Sequence, residues 1–496
     1  MVWGAAAAVV AAVPLVHLVT RVVGAGGPAV VATLTAPRTL DLLVRSAALT
    51  AAVTAACVAL GTVAAWLVAR TDLPGRRVLA VLLPLPLAVP SYVAGFTWAA
   101  EAPWLAGFPA AFAVLTAVSY PYVLLPVLAA LTAADGTTEE VARSLGHGPL
   151  RVAWTVTWPR VRPAATAGGL LVALYVLSDF GAVSLLRFDT LTLGIFTSYR
   201  GTFDRTPAYV LGLLLVLLAV AVARGEARAR GRAEAPVSSA AGRPAPRVAL
   251  GVAGPFATAG LVAVLLVALG VPVVSLVRWS ALGASSLDVA DLAAAAVATA
   301  GVAFAAAVVT TVLAVGVGVL GARWPGRTTR GLEELSYLGH ALPGLSVGLA
   351  VVALGVAWLR PLYQTTTLLV LAYAVLFLPL AVGAVRSAVE ATPPRFEEVA
   401  RSLGRGPLAA LAQVTAPRAA PGIAAGATLV FLTVAKELPA TLLLRPTGTE
   451  TLAVRLWSLS SVSRYAAAAP YAAVLVLVAA LPVVVLLRGV DRRRQT

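Results

Sequence analysis

Lysine is almost missing from this chain: Lys436 is the only one in 496 residues, and Glu437 follows it. A nucleotide-binding P-loop needs Gly-Lys-Ser or Gly-Lys-Thr to reach the phosphates, so the chain holds no ATP in that way. Cysteine is limited to Cys57, which excludes an internal disulfide. Set in an apolar run, Cys57 reads as a small buried side chain. His17, His147 and His340 are scattered and Met1 is the only methionine, so no Cys/His cluster is available for zinc, haem or a redox centre. Charge is scarce as well. Only 12% of the residues are charged and 60% are hydrophobic, with a mean hydropathy of +0.92. A soluble domain averages about 25% charged residues.

What is present is a succession of apolar runs, each about as long as a helix needs to cross a bilayer. They do not alternate apolar with polar residues, which excludes a β-barrel. The reading is an all-α membrane protein with about twelve transmembrane helices. The first half places spans at 4–23, 46–69, 78–100, 108–130, 164–186 and 207–223. The second half places them at 249–277, 290–321, 333–358, 366–388, 423–444 and 468–487. The first span lacks a basic stretch before it and reads as a retained helix, not a cleaved signal. Residues 224–247, "RGEARARGRAEAPVSSAAGRPAPR", have no apolar period and read as a cytoplasmic linker between domains 1–223 and 248–496.

The formal net charge of +16 comes from 36 arginines lying between the apolar runs, not on one basic domain. That pattern sets topology and excludes a nucleic-acid-binding face. With both termini in the cytoplasm, 25 arginines fall on the cytoplasmic side and 11 on the other. Six spans per half put the halves in the same orientation, as a parallel repeat.

The repeat is explicit. "EEVARSLGHGPL" (139–150) returns as "EEVARSLGRGPL" (397–408), eleven of twelve letters at a spacing of 258. "PGR" recurs at Pro74–Arg76 and Pro325–Arg327, Pro90 is matched by Pro343, and "SDFGAVSLLR" (178–187) lines up with "KELPATLLLR" (436–445). The chain reads as one six-span unit duplicated and fused, with a pathway between the halves. Each charged repeat falls in the fourth connection of its half. Thr137 or Thr138, and Thr392 with Pro393 and Pro394, suit a helix start. Glu139, Glu140, Glu397 and Glu398 then favour the positive end of the helix dipole. Gly146 and Gly404 suit the left-handed residue that ends a helix, and Pro149 and Pro407 open a second one. A solvated loop explains one such copy, but two near-identical copies between drifted spans point to two copies of one partner.

These loops resemble the "EAA" loop of binding-protein-dependent ABC importer permeases: Glu-Ala-Ala, three residues, Gly, nine residues, an apolar residue, one residue, Leu-Pro. Glu140, Ala142, Gly146 and Pro159 fit it in the first loop (135–163), and Glu398, Ala400, Gly404 and Pro417 in the second (391–422). Val141 and Val399 replace the first Ala, and Trp158 and Ala416 replace the Leu. The resemblance covers both halves and implies two repeats of the type I importer (MetI-like) fold. It implies that these eight residues couple the chain to two copies of a cytoplasmic ATPase subunit, which holds the ATP and Mg2+. An extracytoplasmic substrate-binding protein is the other implied partner. The chain itself would be a transport subunit of the bacterial plasma membrane, neither an enzyme nor the holder of a cofactor.

The fused arrangement, with "SDFGAVSLL" and "KELPATLLLRP", is similar to ferric iron permeases first, and to thiamine and 2-aminoethylphosphonate permeases second. Asp179 in the fifth span, and Lys436 and Glu437 in the eleventh, are ionisable groups that cost roughly 2.5–3.5 kcal/mol each at a bilayer centre. They read as pathway or gate residues, since carboxylates suit a hard cation. The plainer reading is an interhelical ion pair, with Lys436 reaching Asp179 across the pseudo-two-fold. His147 reads as solvent-facing, and Tyr120, Tyr122 and the tryptophans as packing and interface anchors. A twelve-span secondary transporter of the major facilitator type shares the six-plus-six layout but not the doubled Glu–Gly loop.

Overall fold

The structure, a computed structural model, describes residues 2–134, 136–201, 203–230, 247–283, 287–337 and 343–492. His340 and most of the expected linker lie outside them. Among the described residues the chain is helical, apart from one isolated bridge between Thr71 and Val248. Nine helices there are long and apolar enough to span a membrane: Trp3–Gly24, Pro37–Arg70, Phe108–Ala133, Ala153–Ser178, Thr206–Gly225, Ala253–Gly283, Val289–Arg323, Thr366–Glu390 and Pro407–Ala435. A tenth candidate is a pair, Arg76–Ala88 and Ser91–Glu101, bent by 91°. Gly344–Ala357 and Tyr465–Arg492 are the remaining apolar helices that match expected spans. Together they account for the twelve apolar segments read from the sequence.

Four expected spans, the third, fifth, ninth and eleventh, are not the continuous rods the hydropathy suggests. Residues 78–100 bend at Pro90, which precedes Ser91–Glu101 in an extended conformation. Proline cannot donate to the previous turn and clashes with its carbonyl, so the helix breaks there. Pro343 stands at the same position before Gly344–Ala357. The fifth and eleventh spans stop at Ser178 and Ala435 and resume as short helices, Gly181–Leu185 and Pro439–Leu444. At its other end, the first half's last helix runs on to Arg230, past the expected start of the linker.

The helices pack through small residues, as expected where lipid is as apolar as the helix surface. A Cβ on Gly168 would meet the Tyr122 carbonyl at 2.6 Å, and one on Gly61 would meet the Leu124 nitrogen at 2.9 Å. The halves also exchange their first spans. Trp3–Gly24 lies against Val289–Arg323 and Gly344–Ala357, and the Trp3 indole donates to the Val312 carbonyl at 3.0 Å. Ala253–Gly283 packs on Ser91–Glu101, where Glu101 accepts from Arg278 at 2.6 Å, Trp279 at 2.9 Å and Ser275 at 3.0 Å. This exchange leaves no trace in the repeat itself.

Candidate functional site: the paired loops and the broken spans

The duplicated loop folds twice into the same object. A two-turn helix, Thr137–Ser144 or Arg395–Ser402, ends at a glycine with φ +81° at Gly146 and +83° at Gly404. The closing bonds match. Gly146 N–H donates to Arg143 O at 2.9 Å and His147 N–H to Ala142 O at 3.2 Å; Gly404 and Arg405 do the same to Arg401 and Ala400 at 3.0 and 3.1 Å. This is the Schellman closure, which needs a left-handed residue at its corner. The second loop helix starts at Arg395 and not at Thr392; the Thr392 carbonyl accepts from Arg323 at 2.8 Å.

Beyond the corner, Pro149–Val152 and Pro407–Ala410 begin helices that widen into a single π turn at Ala153–Thr157 and Leu411–Thr415. Pro159 and Pro417 follow at once, inside otherwise continuous helices. The wide turn accommodates a proline that supplies no N–H. It also aims a threonine back at the loop helix. Thr157 donates to Glu139 at 3.1 Å and Thr415 to Glu397 at 2.5 Å.

The same carboxylates hold the last arginine of the second span of each half. Arg70 reaches Glu139 at 3.2 Å, and Arg323 reaches Glu397 at 2.6 Å. The first pair is buried, the side chains of Arg70 and Glu139 keeping only 5% and 3% of their exposure; the second is half-buried, with Glu397 at 15%. The sequence assigned coupling to Glu140 and Glu398 and gave Glu139 and Glu397 only a place at the helix dipole; the two glutamates of each pair divide the work. Glu139 and Glu397 face inward and tie the loop helix to the spans, while Glu140 and Glu398 are exposed. Of the two alanines read as contacts, Ala142 is half-buried and Ala400 buried. The exposed apolar residues are Val141 and Leu145 in one loop, at 52% and 73%, and Val399 and Leu403 in the other, at 58% and 78%. The i, i+4 spacing of each pair puts both residues on one helix face. That spacing was visible in "VARSL", and the partnering arginines were visible as the Ala-Arg pairs before each "PGR".

Asp179 and Glu437 occupy matching places, each at a break. Asp179 accepts from the N–H groups of Ala182 and Val183 at 3.1 and 3.2 Å and from the Ser91 hydroxyl. Glu437 accepts from the N–H groups of Ala440 and Thr441 at 3.0 and 3.2 Å and from the Thr441 hydroxyl at 2.9 Å. Each carboxylate thus satisfies the orphan donors of the short helix that follows it. The expected Lys436–Asp179 ion pair is not formed. Asp179 is occupied by its own backbone, and no carboxylate among the described residues lies within ion-pair distance of Lys436. The Lys436 carbonyl instead accepts from Tyr92 of the other half at 3.1 Å.

Beside these breaks the halves meet through aromatic rings. Phe196 and Trp457 touch at 5.7 Å between centroids, Phe180 lies 4.8 Å from Phe196 and 5.8 Å from Trp457, and the Trp457 indole donates to Ser184 at 3.1 Å. Phe196 and Trp457 each lie five residues after an equivalent leucine. The Leu191 N–H donates to Ser46 at 2.8 Å and the Leu452 N–H to Thr299 at 2.9 Å, so the pair sits on the pseudo-two-fold. No group of three or more metal-ligating side chains is found among the described residues.

A doubled helical bundle with matching loops at one end and broken spans at the join is the build of a membrane transport permease. The description "Binding-protein-dependent transport system inner membrane component" matches residues 57–225 and again 314–495, and the chain belongs to that family. Among its relatives, an Fe(3+)-transport system permease protein of Haemophilus influenzae is 33% identical over 95% of this chain and 94% of its own length. A molybdenum transport system permease protein of Mycobacterium tuberculosis is 32% identical over 41% of this chain and 84% of its own. A probable sulfate transport system permease protein of Chlorokybus atmophyticus is 29% identical over 32% of this chain and 62% of its own. The chain is therefore an ABC importer permease, a multi-pass protein of the inner membrane.

Proposed function

We propose that this chain forms the pathway of a ferric iron importer, driven by two copies of a separate ATPase subunit seated on its two loops. The observation that carries the coupling reading is the duplicated loop. Two outward faces, Glu140–Val141–Leu145 and Glu398–Val399–Leu403, stand on matching glycine corners and on Arg–Glu–Thr anchors of the same residue types. Exposed apolar pairs on a rigid charged helix are what a partner's groove accepts. ATP and Mg2+ belong to that partner, and no cofactor is held here. The termini and loops lie in the cytoplasm, with a substrate-binding protein at the opposite face. Closing the two ATPase subunits would draw the loops together, and the anchors would carry that motion to the spans ending at Arg70 and Arg323.

Iron is favoured by the near full-length likeness to the Haemophilus protein; the molybdenum and sulfate permeases match a third to two fifths of this chain. Vesicles carrying the chain and its ATPase should take up iron only with ATP inside the ATPase compartment. Uptake driven by a proton gradient alone would restore the secondary-transporter reading. Gly146→Pro and Gly404→Pro should abolish ATPase capture while the chain still inserts.

Asp179, Lys436 and Glu437 form the proposed gate, since their breaks lie where the two halves touch. Asn also caps helices, so Asp179→Asn keeps the cap and removes only the charge. Normal import by both Asp179→Asn and Lys436→Gln would end the gate idea.

A further inference from the structure

On the side opposite the loops, a cavity of about 300 Å³ opens between the halves. Tyr199 and Arg200 of the first half face Tyr363, Gln364, Arg445 and Trp457 of the second across it. Its floor is the aromatic contact described above, through Trp457, and its wall includes Leu442 and Leu443 of the short helix capped by Glu437. Cargo arriving from outside would meet this cavity immediately before the broken spans.

Arginines outnumber carboxylates around it. Arg200 is exposed and lies over the Phe196 ring at 5.6 Å, and Arg205 lies over Tyr199 at 4.6 Å. Arg445 commits one terminal nitrogen to Glu450 and to the Thr449 carbonyl at 3.2 Å; its other guanidinium nitrogens make no bond among the described residues. Asp204, close by, is exposed and accepts from the Thr206 N–H at 2.9 Å. Among the described residues, Glu450 forms an ion pair with Arg445. Arginine is disfavoured on the outer side by the positive-inside rule, yet three of the eleven outer arginines gather here. Planar guanidiniums beside tyrosine and tryptophan edges are the chemistry that holds negatively charged oxygens. They would repel a bare ferric ion.

We propose that this cavity receives cargo as an anion, through Arg200 and Arg445, with Glu450 as an internal competitor for Arg445. Two sources share that chemistry: a free tetrahedral oxyanion, and a metal ion wrapped in a net-negative set of oxygen ligands. The proposal rests on the permease reading and names the form in which its substrate arrives.

The test uses the full chain in lipid nanodiscs and equilibrium dialysis with radiolabelled sulfate, molybdate, phosphate and ferric citrate. At least one probe should bind, and Arg200→Gln and Arg445→Gln should each weaken it about tenfold, the scale of one charge-assisted hydrogen bond. Glu450→Gln should tighten binding, a direction that mere loss of structure does not give. Raised salt should weaken every bound probe. Binding of an oxyanion without iron marks the first source; retention of labelled iron only with its citrate marks the second. Failure of all four probes to bind, equal binding in wild type and both arginine variants, or retention of uncomplexed ferric ion overturns the proposal. Arg200 is exposed, so its variant separates ligand loss from misfolding, checked by size-exclusion profile. Capture of ATPase subunits by the loops is measured on the same samples and fails independently if the permease reading is wrong.

Discussion

The two loops present one surface on two different foundations. Glycine corner, π turn, threonine and inward glutamate superimpose in role, residue for residue at a spacing of 258. What lies beneath differs. In the first half Arg70 and Glu139 are sealed at 3.2 Å, and the chain just after Arg70 is stitched to the start of the second half: Val248 N–H donates to Arg70 O at 2.8 Å and Leu250 N–H to Asp72 at 2.8 Å. In the second half Arg323 divides itself between Glu397 and the Thr392 carbonyl at 2.8 Å. There a second cluster stands nearby, in which Arg386 grips both oxygens of Glu333 at 2.9 Å and Glu390 at 2.8 Å. Two residues account for part of this. Thr71 and Asp72 lengthen the link from Arg70 to its "PGR", and they make the stitch; the second half has only Trp324 there. The geometry shown to a partner is held constant while its fastening is free to vary.

The largest effect should come from breaking the sealed anchor. Glu139→Ala leaves a buried guanidinium with no carboxylate, a loss of about 3–5 kcal/mol. Thermal unfolding in detergent should show it, and ATPase capture by that loop should fall with it. The double variant Arg70→Met/Glu139→Leu should recover most of the stability, because replacing both members removes the stranded charge. Equal destabilisation in the single and the double would mean that the anchor is held by packing alone.

Glu397→Ala should cost less, about 2 kcal/mol, in the range for one hydrogen bond to a charged group. Arg323 keeps the Thr392 carbonyl, and Glu397 retains 15% of its exposure, so water reaches the vacated site. Matching losses for Glu139→Ala and Glu397→Ala would show that the different fastening has no energetic weight.

The corners should behave alike. Gly146→Ala and Gly404→Ala each force a Cβ into the left-handed region, at about 1–2 kcal/mol. Nothing lies within 4 Å of a Cβ at either position, so the cost is conformational and not steric. Asn, which tolerates that region, should restore most of the loss in both halves. A difference between the halves would point to a neighbour that shifts on folding.

These corners were legible in advance, because a glycine two turns after a charged helix start has one main use. The twelve apolar segments were legible for the same kind of reason, since their length and composition are set by the bilayer. The breaks were half-legible. Pro90 announced its own bend, but Asp179 and Glu437 were read as charges in need of partners when their partners were the backbone of the next three or four residues. The sequence did carry a clue in "KELPA", an acid two residues before a proline that opens a helix. The inward turn of Glu139 was hidden because adjacent glutamates look identical until an arginine 69 residues away chooses one of them. The exchange of first spans was hidden more deeply, since a hydropathy pattern says that a helix is buried in lipid without saying against which half.

The smallest stability effect, and the sharpest test of shared function, lies on the outer faces. Leu145 and Leu403 are 73% and 78% exposed. Leu145→Ser and Leu403→Ser should therefore change folding by no more than about 0.5 kcal/mol, the usual range for surface substitutions. Each should nonetheless weaken ATPase capture by roughly tenfold, the scale expected when a buried apolar anchor is removed from an interface. Because the outer faces are the same and only the fastenings differ, the two losses should match. The double variant should abolish capture, since two weakened contacts no longer support each other through one membrane anchor. Matched losses would establish that both loops meet the same partner surface. A loss confined to one loop would instead mean that the surfaces are alike by descent and no longer alike in use.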